Sequence, residues 1–176
     1  MLCIQEIDIG CERSGGEDTG TRIAEALKMN YFFACEFEEL HSPMRKPRDQ
    51  GGGLHGNAIL TKYDYEETRV LSHVVEPVNW TTEGESFREP RRGGRITPVA
   101  KIKTHQGPLR VYGPHLELFC GASHRMAQMD EIMSDVEEAS RNSNEAVLIG
   151  GDLNTGAHGF GRLVSLSSTV LPFVEL

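Results

Sequence analysis

An apolar run, Ala146-Val147-Leu148-Ile149, stops abruptly at Gly150-Gly151-Asp152-Leu153-Asn154. The run is too short for a lone helix and reads as a buried strand. The two glycines let the backbone approach a neighbour closely. Asp152 and Asn154 are two residues apart, so in an extended chain they face the same side. A carboxylate and an amide together at the mouth of a sheet suit a cation, an activated water or a phosphate. The same two residue types also make ordinary turns.

Two further strand ends carry chemistry. Leu2 to Ile4 is a second buried-strand run, and it leads into Gln5-Glu6. Glu6 is a candidate ligand for a hard cation such as Mg²⁺, which takes one or two carboxylates and keeps several waters. His115 lies in Leu109-Arg110-Val111-Tyr112-Gly113-Pro114-His115-Leu116-Glu117-Leu118-Phe119. Leu109, Val111, His115 and Phe119 share one parity, which puts His115 on a mostly apolar face. Pro114 marks a bulge or an edge nearby. A histidine so placed commonly serves the core; beside a phosphate it donates to a non-bridging oxygen.

The elements that must position these groups alternate between strand and helix. After the first strand and the turn Gly15-Gly16, Thr19 or Thr21 caps a helix through about Lys28, with Ile23, Ala24 and Leu27 on one face. Tyr31 to Phe37 reads as a strand and 42–56 as a loop with Pro43, Pro47 and three consecutive glycines. Residues 57–62 and 67–75 read as consecutive strands around a Tyr63-Asp64 turn. A long polar segment, 77–94, follows; in a compact domain so long a loop is functional or disordered. A basic stretch, Arg88, Arg91, Arg92 and Arg95 around Gly93-Gly94, could meet a polyanion locally, but its Pro and Gly content reads rather as a solvated loop. Residues 95–104 and 109–119 form a hairpin around His105-Gln106-Gly107. The strongest helical pattern runs from Ser123 to about Ser140, with Met126, Met129, Ile132, Met133 and Val136 as a core stripe.

Taken in order, Gln5-Glu6, Gly56-Asn57-Ala58-Ile59-Leu60, His115-Leu116-Glu117 and Gly151-Asp152-Leu153-Asn154 resemble the endonuclease/exonuclease/phosphatase superfamily of metal-dependent phosphoesterases. Arg13 after the Gln5–Asp8 stretch, and Arg125 with Gln128 at the start of the last helix, agree with it. The resemblance covers about residues 1–163, leaving 164–176 as a divergent tail. It implies a four-layer α/β sandwich: two mixed, mainly antiparallel sheets face to face with helices outside, here incomplete at both termini. It implies Mg²⁺ or Mn²⁺ as cofactor, Glu6 as metal ligand, and Asp152 as the residue that orients or activates the attacking water. Asn154 would help hold the phosphate, His115 would contact it, and Asn57 is a candidate substrate contact or a structural amide.

The sequence also departs from the family pattern. The family's first strand, with its metal-holding Asn, does not precede Gln5-Glu6. No Asp follows Asn154, and the one later histidine, His158, comes too early to match the family's terminal Asp-His pair. Turnover is therefore expected to be slow, and the alternative is a non-catalytic relative that binds a phosphorylated ligand or a protein. A third reading is an unrelated α/β protein whose strand-end polar residues only make turns.

Composition bounds the rest. Hydrophobic content of 38% and charged content of 25% over 176 residues are those of a globular domain. A formal charge of −8 disfavours nucleic acid as partner, because neutralising phosphates dominates duplex affinity. The expected partner is a phosphate-ester substrate of unspecified class. Cys3, Cys11, Cys35 and Cys120 form no Cys-x-x-Cys pair, so neither zinc nor a redox motif is supported; Cys3 and Cys120 read as buried small hydrophobes. No secretory signal or membrane span is legible, which makes an intracellular location the default expectation.

Overall fold

A computed structural model describes residues 1–141 and 143–155. Eight strands, β1 (Leu2–Ile9), β2 (Asn30–Glu39), β3 (Leu54–Thr61), β4 (Tyr65–Ser72), β5 (Arg91–Gly93), β6 (Ile96–Thr104), β7 (Gly107–Tyr112) and β8 (Ala146–Ile149), are interleaved with helices α1 (Thr19–Leu27), α2 (Trp80–Glu83) and α3 (Ala122–Ser140). They form two four-stranded sheets, ordered β1-β3-β2-β5 and β4-β6-β7-β8. The first sheet is antiparallel throughout, not mixed as expected; the second is mixed because β8 runs parallel to β7. Parallel pairing needs a long crossover, and α3 supplies it.

Three apolar layers hold the sandwich. Ala58 and Leu60 of β3 pack outward with Ile7 and Ala24 under α1. Their neighbour Ile59 points the other way, to meet Ala100, Ile102 and Val111 between the sheets. Val99, Tyr112 and Leu116 pack with Ile132 beneath α3. Alternation along β3 thus buries both of its faces, the order helix–sheet–sheet–helix that the resemblance implies.

Several local readings are corrected. The α1 cap is Asp18, whose carboxylate accepts from the Thr21 N–H at 2.9 Å, rather than Thr19 or Thr21 themselves. The Tyr63-Asp64 turn does join consecutive strands, and these belong to different sheets, β3 to the first and β4 to the second, so it is a corner between layers. On α3, Ile132 is buried and Met129 and Val136 pack on the core, but Met126 and Met133 are exposed, so the stripe is narrower than its spacing suggests. Cys11 is the fully buried thiol, while Cys3 and Cys120 are half-buried. The boundary at 163–164 and the tail lie outside the described residues.

Candidate active site at the strand ends

The site begins with two irregularities flanking β3. On one side, Ile4 pairs with Ala58 and Ile7 with Gly56, so Gln5 and Glu6 together oppose Asn57 alone. That is a β-bulge, and Glu6 takes the left-handed backbone that such a bulge imposes, φ 61°. On the other side, Cys35 pairs with Gly56 and Phe37 with His55, which leaves Glu36 as the extra residue. Between the two bulges sits Gly56, where a Cβ would lie 2.1 Å from the Ala34 carbonyl oxygen; only glycine fits. Bulges re-aim side chains next to active sites, and here they turn Glu6 and Glu36 toward the same end of the sandwich.

From the second sheet come His115, Asp152 and Asn154. Regular pairing in β7 ends at Tyr112, so the parity argument that put His115 on an apolar face does not carry across Gly113-Pro114. His115 instead pairs with Asp152 in an isolated parallel bridge, with Leu116 N–H donating to the Asp152 carbonyl at 2.9 Å and Asp152 N–H to the Pro114 carbonyl at 3.0 Å. Gly151 is required there, since a Cβ would stand 2.0 Å from the Pro114 carbonyl oxygen. The Asn154 backbone is left-handed, φ 50°, and its N–H donates to Asp152 Oδ1 at 2.8 Å. The Asn154 side-chain amide donates to the Leu116 carbonyl at 2.7 Å. Non-glycine residues held in this region cost about 1–3 kcal/mol each and cluster at functional sites.

Glu6, Asp8, Arg13, His55, Trp80, Arg91, Arg95, His115, Phe119 and Asn154 line one cleft of about 350 Å³. Asp152 is bridged to His115 but is exposed and is not among the residues that line the cleft. Asn57 is fully buried, and both polar atoms of its side chain lack a partner among the described residues. His158 lies outside the described residues.

Two ion-pair networks wall the cleft. In the first, Arg13 grips Asp8 with two bonds of 2.8 and 2.6 Å, and His55 Nδ1 lies 2.8 Å from the same carboxylate. Burial alone would raise the Asp8 pKa; the bonds from Arg13 and His55 outweigh it and hold the carboxyl well below the usual range. In the second, Arg95 donates to Glu36 at 3.2 Å and to Glu117 at 3.2 Å. Its Nη1 is nearer His115 Nδ1, at 3.1 Å, than Nε2, at 3.5 Å. The same Nδ1 lies 3.4 Å from Glu36 Oε2, so the imidazole is held between a guanidinium donor and a carboxylate acceptor. Burial pushes the Glu36 and Glu117 pKa values up, but His115 and Arg95 beside Glu36, and Arg95 beside Glu117, bring both below the ordinary value. Trp80 Nε1–H completes the chain, donating to Glu117 at 2.8 Å.

The segment 77–94 is therefore not a solvated loop. It contains α2 and β5, and Arg91 and Arg95 are each 7% exposed. The arginines are drawn in because four carboxylates, Glu36, Glu39, Glu89 and Glu117, wait for them. Sequence reasoning missed Glu36, Arg95, Glu117 and Trp80; the signal was the interleaving of Trp80 and Phe87 with arginines, which a loop has no need for.

A divalent metal can be tested against this donor set. Among the described residues no cluster of three or more His, Cys, Asp or Glu side chains would cage a metal. Glu6 is exposed in the cleft, and no cation pairs with it among the described residues. One free carboxylate opposite the unpartnered Asn57 amide suits a largely hydrated Mg²⁺ or Mn²⁺, which keeps its waters, and not a zinc-type cage.

No protein-family profile and no curated protein sequence matches the chain. Solved structures do. The human nocturnin catalytic domain, solved with bound sulfate, superposes with a TM-score of 0.59 at 15% identity, over 96% of this chain and 56% of its own. An endonuclease/exonuclease/phosphatase from Beutenbergia cavernae gives 0.55 at 17%, over 86% and 38%. ANGEL2, a 2′,3′-cyclic phosphatase, gives 0.52 at 13%, over 87% and 39%. The chain thus has the endonuclease/exonuclease/phosphatase fold, and spans little more than half of the first of these structures and under two fifths of the others.

Proposed function

We propose that this cleft hydrolyses a phosphoester by attack of water at phosphorus, with Mg²⁺ or Mn²⁺ as cofactor. One observation carries the reading. Glu6, His115, Asp152 and Asn154, far apart in sequence, are gathered at one end of the sandwich by a bulge and an isolated bridge, and two of them hold strained backbone. Strain of that kind persists only where the surroundings impose it.

Glu6 would hold the cation, which when bound neutralises charge on the phosphoryl oxygens. His115, with its ring held by Arg95, would donate to a non-bridging oxygen. Asp152 would orient the attacking water, and its own orientation is set by the Asn154 N–H. Asn57, fully buried opposite the Gln5-Glu6 bulge and not lining the cleft, would act behind Glu6 as a structural amide rather than touch the substrate. Preorganised donors of this kind supply most of the rate in phosphoryl transfer.

A binding-only reading is favoured by a different observation. Of the three carboxylates lining the cleft, Asp8 is held by Arg13 and Glu89 by Arg91, which leaves Glu6. The test is hydrolysis of bis-p-nitrophenyl phosphate with Mg²⁺ and Mn²⁺ by the wild type, Glu6→Gln and Asp152→Asn. Turnover that falls about 10²-fold or more in both variants supports hydrolysis. No metal-stimulated turnover, with phosphate binding retained, transfers the proposal to the binding-only reading. Metal-independent turnover indifferent to Glu6 rejects the site.

A further inference from the structure

We infer that Gln128 of α3 is a positioning residue for the cleft, tying together the two chain segments that aim His115. The inference rests on the phosphoester reading above and names a residue outside the lining on which that site depends. Gln128 is 0% exposed and is not among the residues that line the cleft, so it acts through what it touches.

It touches two backbone segments. Its Oε1 accepts the Glu117 N–H at 3.0 Å, and its Nε2 donates to the Val75 carbonyl at 3.0 Å. Both bonds fall where strand pairing has stopped, since β4 ends at Ser72 and β7 at Tyr112, so one side chain stands in for a strand neighbour on each. The residues three before and three after it share its face of the helix, and each serves one segment only. Arg125 donates to the Glu117 and Cys120 carbonyls at 3.3 and 2.8 Å. Glu131 accepts the Val74 and Val75 N–H groups at 3.1 and 2.9 Å. Gln128 alone of the three bridges both. The place calls for an amide, which accepts at one end and donates at the other without charge. Leucine offers neither bond, and an ionised glutamate can only accept.

The tie matters because of what the segments carry. The Glu117 carboxylate accepts from Trp80 Nε1–H at 2.8 Å and from Arg95 Nε at 3.2 Å. Arg95 Nη1 in turn reaches His115 Nδ1 at 3.1 Å. Val75 opens the stretch that leads to Val78 and Trp80, which pack with Phe37. A shift of Glu117 therefore moves the guanidinium that holds the imidazole, and a shift of Val75 moves Trp80 against the same carboxylate. Misplacing a reacting group by about 1 Å can cost about 10²-fold in rate.

Trp80 is the one tryptophan of the chain, so a single indole N–H resonance reports on Glu117. The full chain is compared by NMR and by bis-p-nitrophenyl phosphate hydrolysis in Mg²⁺ as wild type, Gln128→Leu, Glu117→Gln, the double variant, and Ile132→Val. The last weakens the core beneath α3 without touching the tie. Gln128→Leu should shift the Trp80 indole and His115 ring resonances and lower kcat about tenfold or more, with KM within about twofold. In the Glu117→Gln background it should add less than about twofold, because the route is already cut. Ile132→Val should lower the urea midpoint and leave both resonances in place. In the wild type, the Glu117 N–H should exchange as slowly as the Ile132 N–H inside α3, a readout that needs no variant to fold. Unmoved resonances in a folded Gln128→Leu, the same shifts in Ile132→Val, full additivity with Glu117→Gln, or fast exchange at Glu117 would each overturn the inference. Absence of turnover in the wild type would refute the phosphoester reading instead, and the resonances and exchange rates then decide the tie on their own.

Discussion

Replacing Arg95 by methionine tests the wall that fixes His115. The methionine side chain fills much of the volume but removes the guanidinium that bonds Glu36, Glu117 and the imidazole. The Glu36 side chain is 0% exposed and that of Glu117 1% exposed, so neither carboxylate can recover its water. Breaking a buried ion pair by deleting one partner costs about 3–5 kcal/mol. Two carboxylates are orphaned here, but each keeps a second donor, His115 for Glu36 and Trp80 for Glu117, so the expected loss stays near that range rather than doubling. It is large against the roughly 5–15 kcal/mol that holds a domain together. The loss should also depend on pH. With Arg95 present both carboxyls titrate below their ordinary value, which stabilises the fold above about pH 4.3. Without it, burial is left to raise them. A group whose folded pKa is raised contributes stability below its unfolded pKa and loses it as pH rises through the folded one. The penalty should therefore grow from pH 4 to 7. Urea unfolding followed by Trp80 fluorescence measures it, with Arg95→Met/Glu117→Gln expected to recover at least about 1 kcal/mol through the coupling of the pair. A loss under about 1 kcal/mol that is flat with pH would show that the network contributes nothing to stability.

Three further outcomes follow from single observations. Glu6 sits at φ 61°, so Glu6→Gly should raise stability by about 1 kcal/mol while abolishing Mg²⁺ binding by calorimetry; a destabilised variant would mean that the bulge is not strained. Gly151→Ala drives a Cβ into the Pro114 carbonyl and should cost about 1–3 kcal/mol, with amide exchange at Leu116 and Asp152 accelerated because the bridge opens; unchanged exchange would contradict the geometry. Away from the cleft, Glu145 is held below its ordinary pKa by Arg110, 2.8 Å away, and Asp135 by Arg69 and Tyr112, in each case against burial. A carboxyl with a depressed folded pKa stabilises above its unfolded pKa and loses that contribution as pH falls. Urea midpoints should thus fall below about pH 4–5, and Glu145→Gln should blunt the fall; an identical pH profile in that variant would sink the assignment.

Gly151-Asp152-Leu153-Asn154 was legible as the end of a strand, but the apolar runs read as buried are not: Ala146–Ile149 alternates exposed and half-buried residues and Leu2 is exposed. Gln5-Glu6, read as a strand end, lies at a bulge inside β1 (Leu2–Ile9). For His115 the resemblance named the residue, while parity argued for a core histidine on an apolar face; the chain breaks at Gly113-Pro114 and the side chain turns to Arg95 and Glu36. The Tyr63-Asp64 turn was legible, but not which sheet the next strand joins, because a two-residue polar turn looks the same whether that strand pairs with the last or leaves for another sheet. Only the β6 pairing of β4 decides it, and that is a contact about thirty residues away.

The arginines show the same limit from the side of charge. Arg91 and Arg92 are neighbours of one type in one three-residue strand, yet Arg91 is buried against Glu39 and Glu89, while Arg92 reaches an exposed Glu38. Nothing local separates them. What does is β5 pairing with β2 in register, Glu39 opposite Arg91 and Glu38 opposite Arg92, with β2 alternating its acids between the inside and the outside. A Pro/Gly-rich basic stretch therefore becomes the wall of a cleft because a distant strand carries buried carboxylates, and those carboxylates are tolerable in the interior only because the stretch returns to them. Neither half is stable in place without the other, which is why the segment read as solvent-exposed is the one that carries Trp80 and Arg95 to His115.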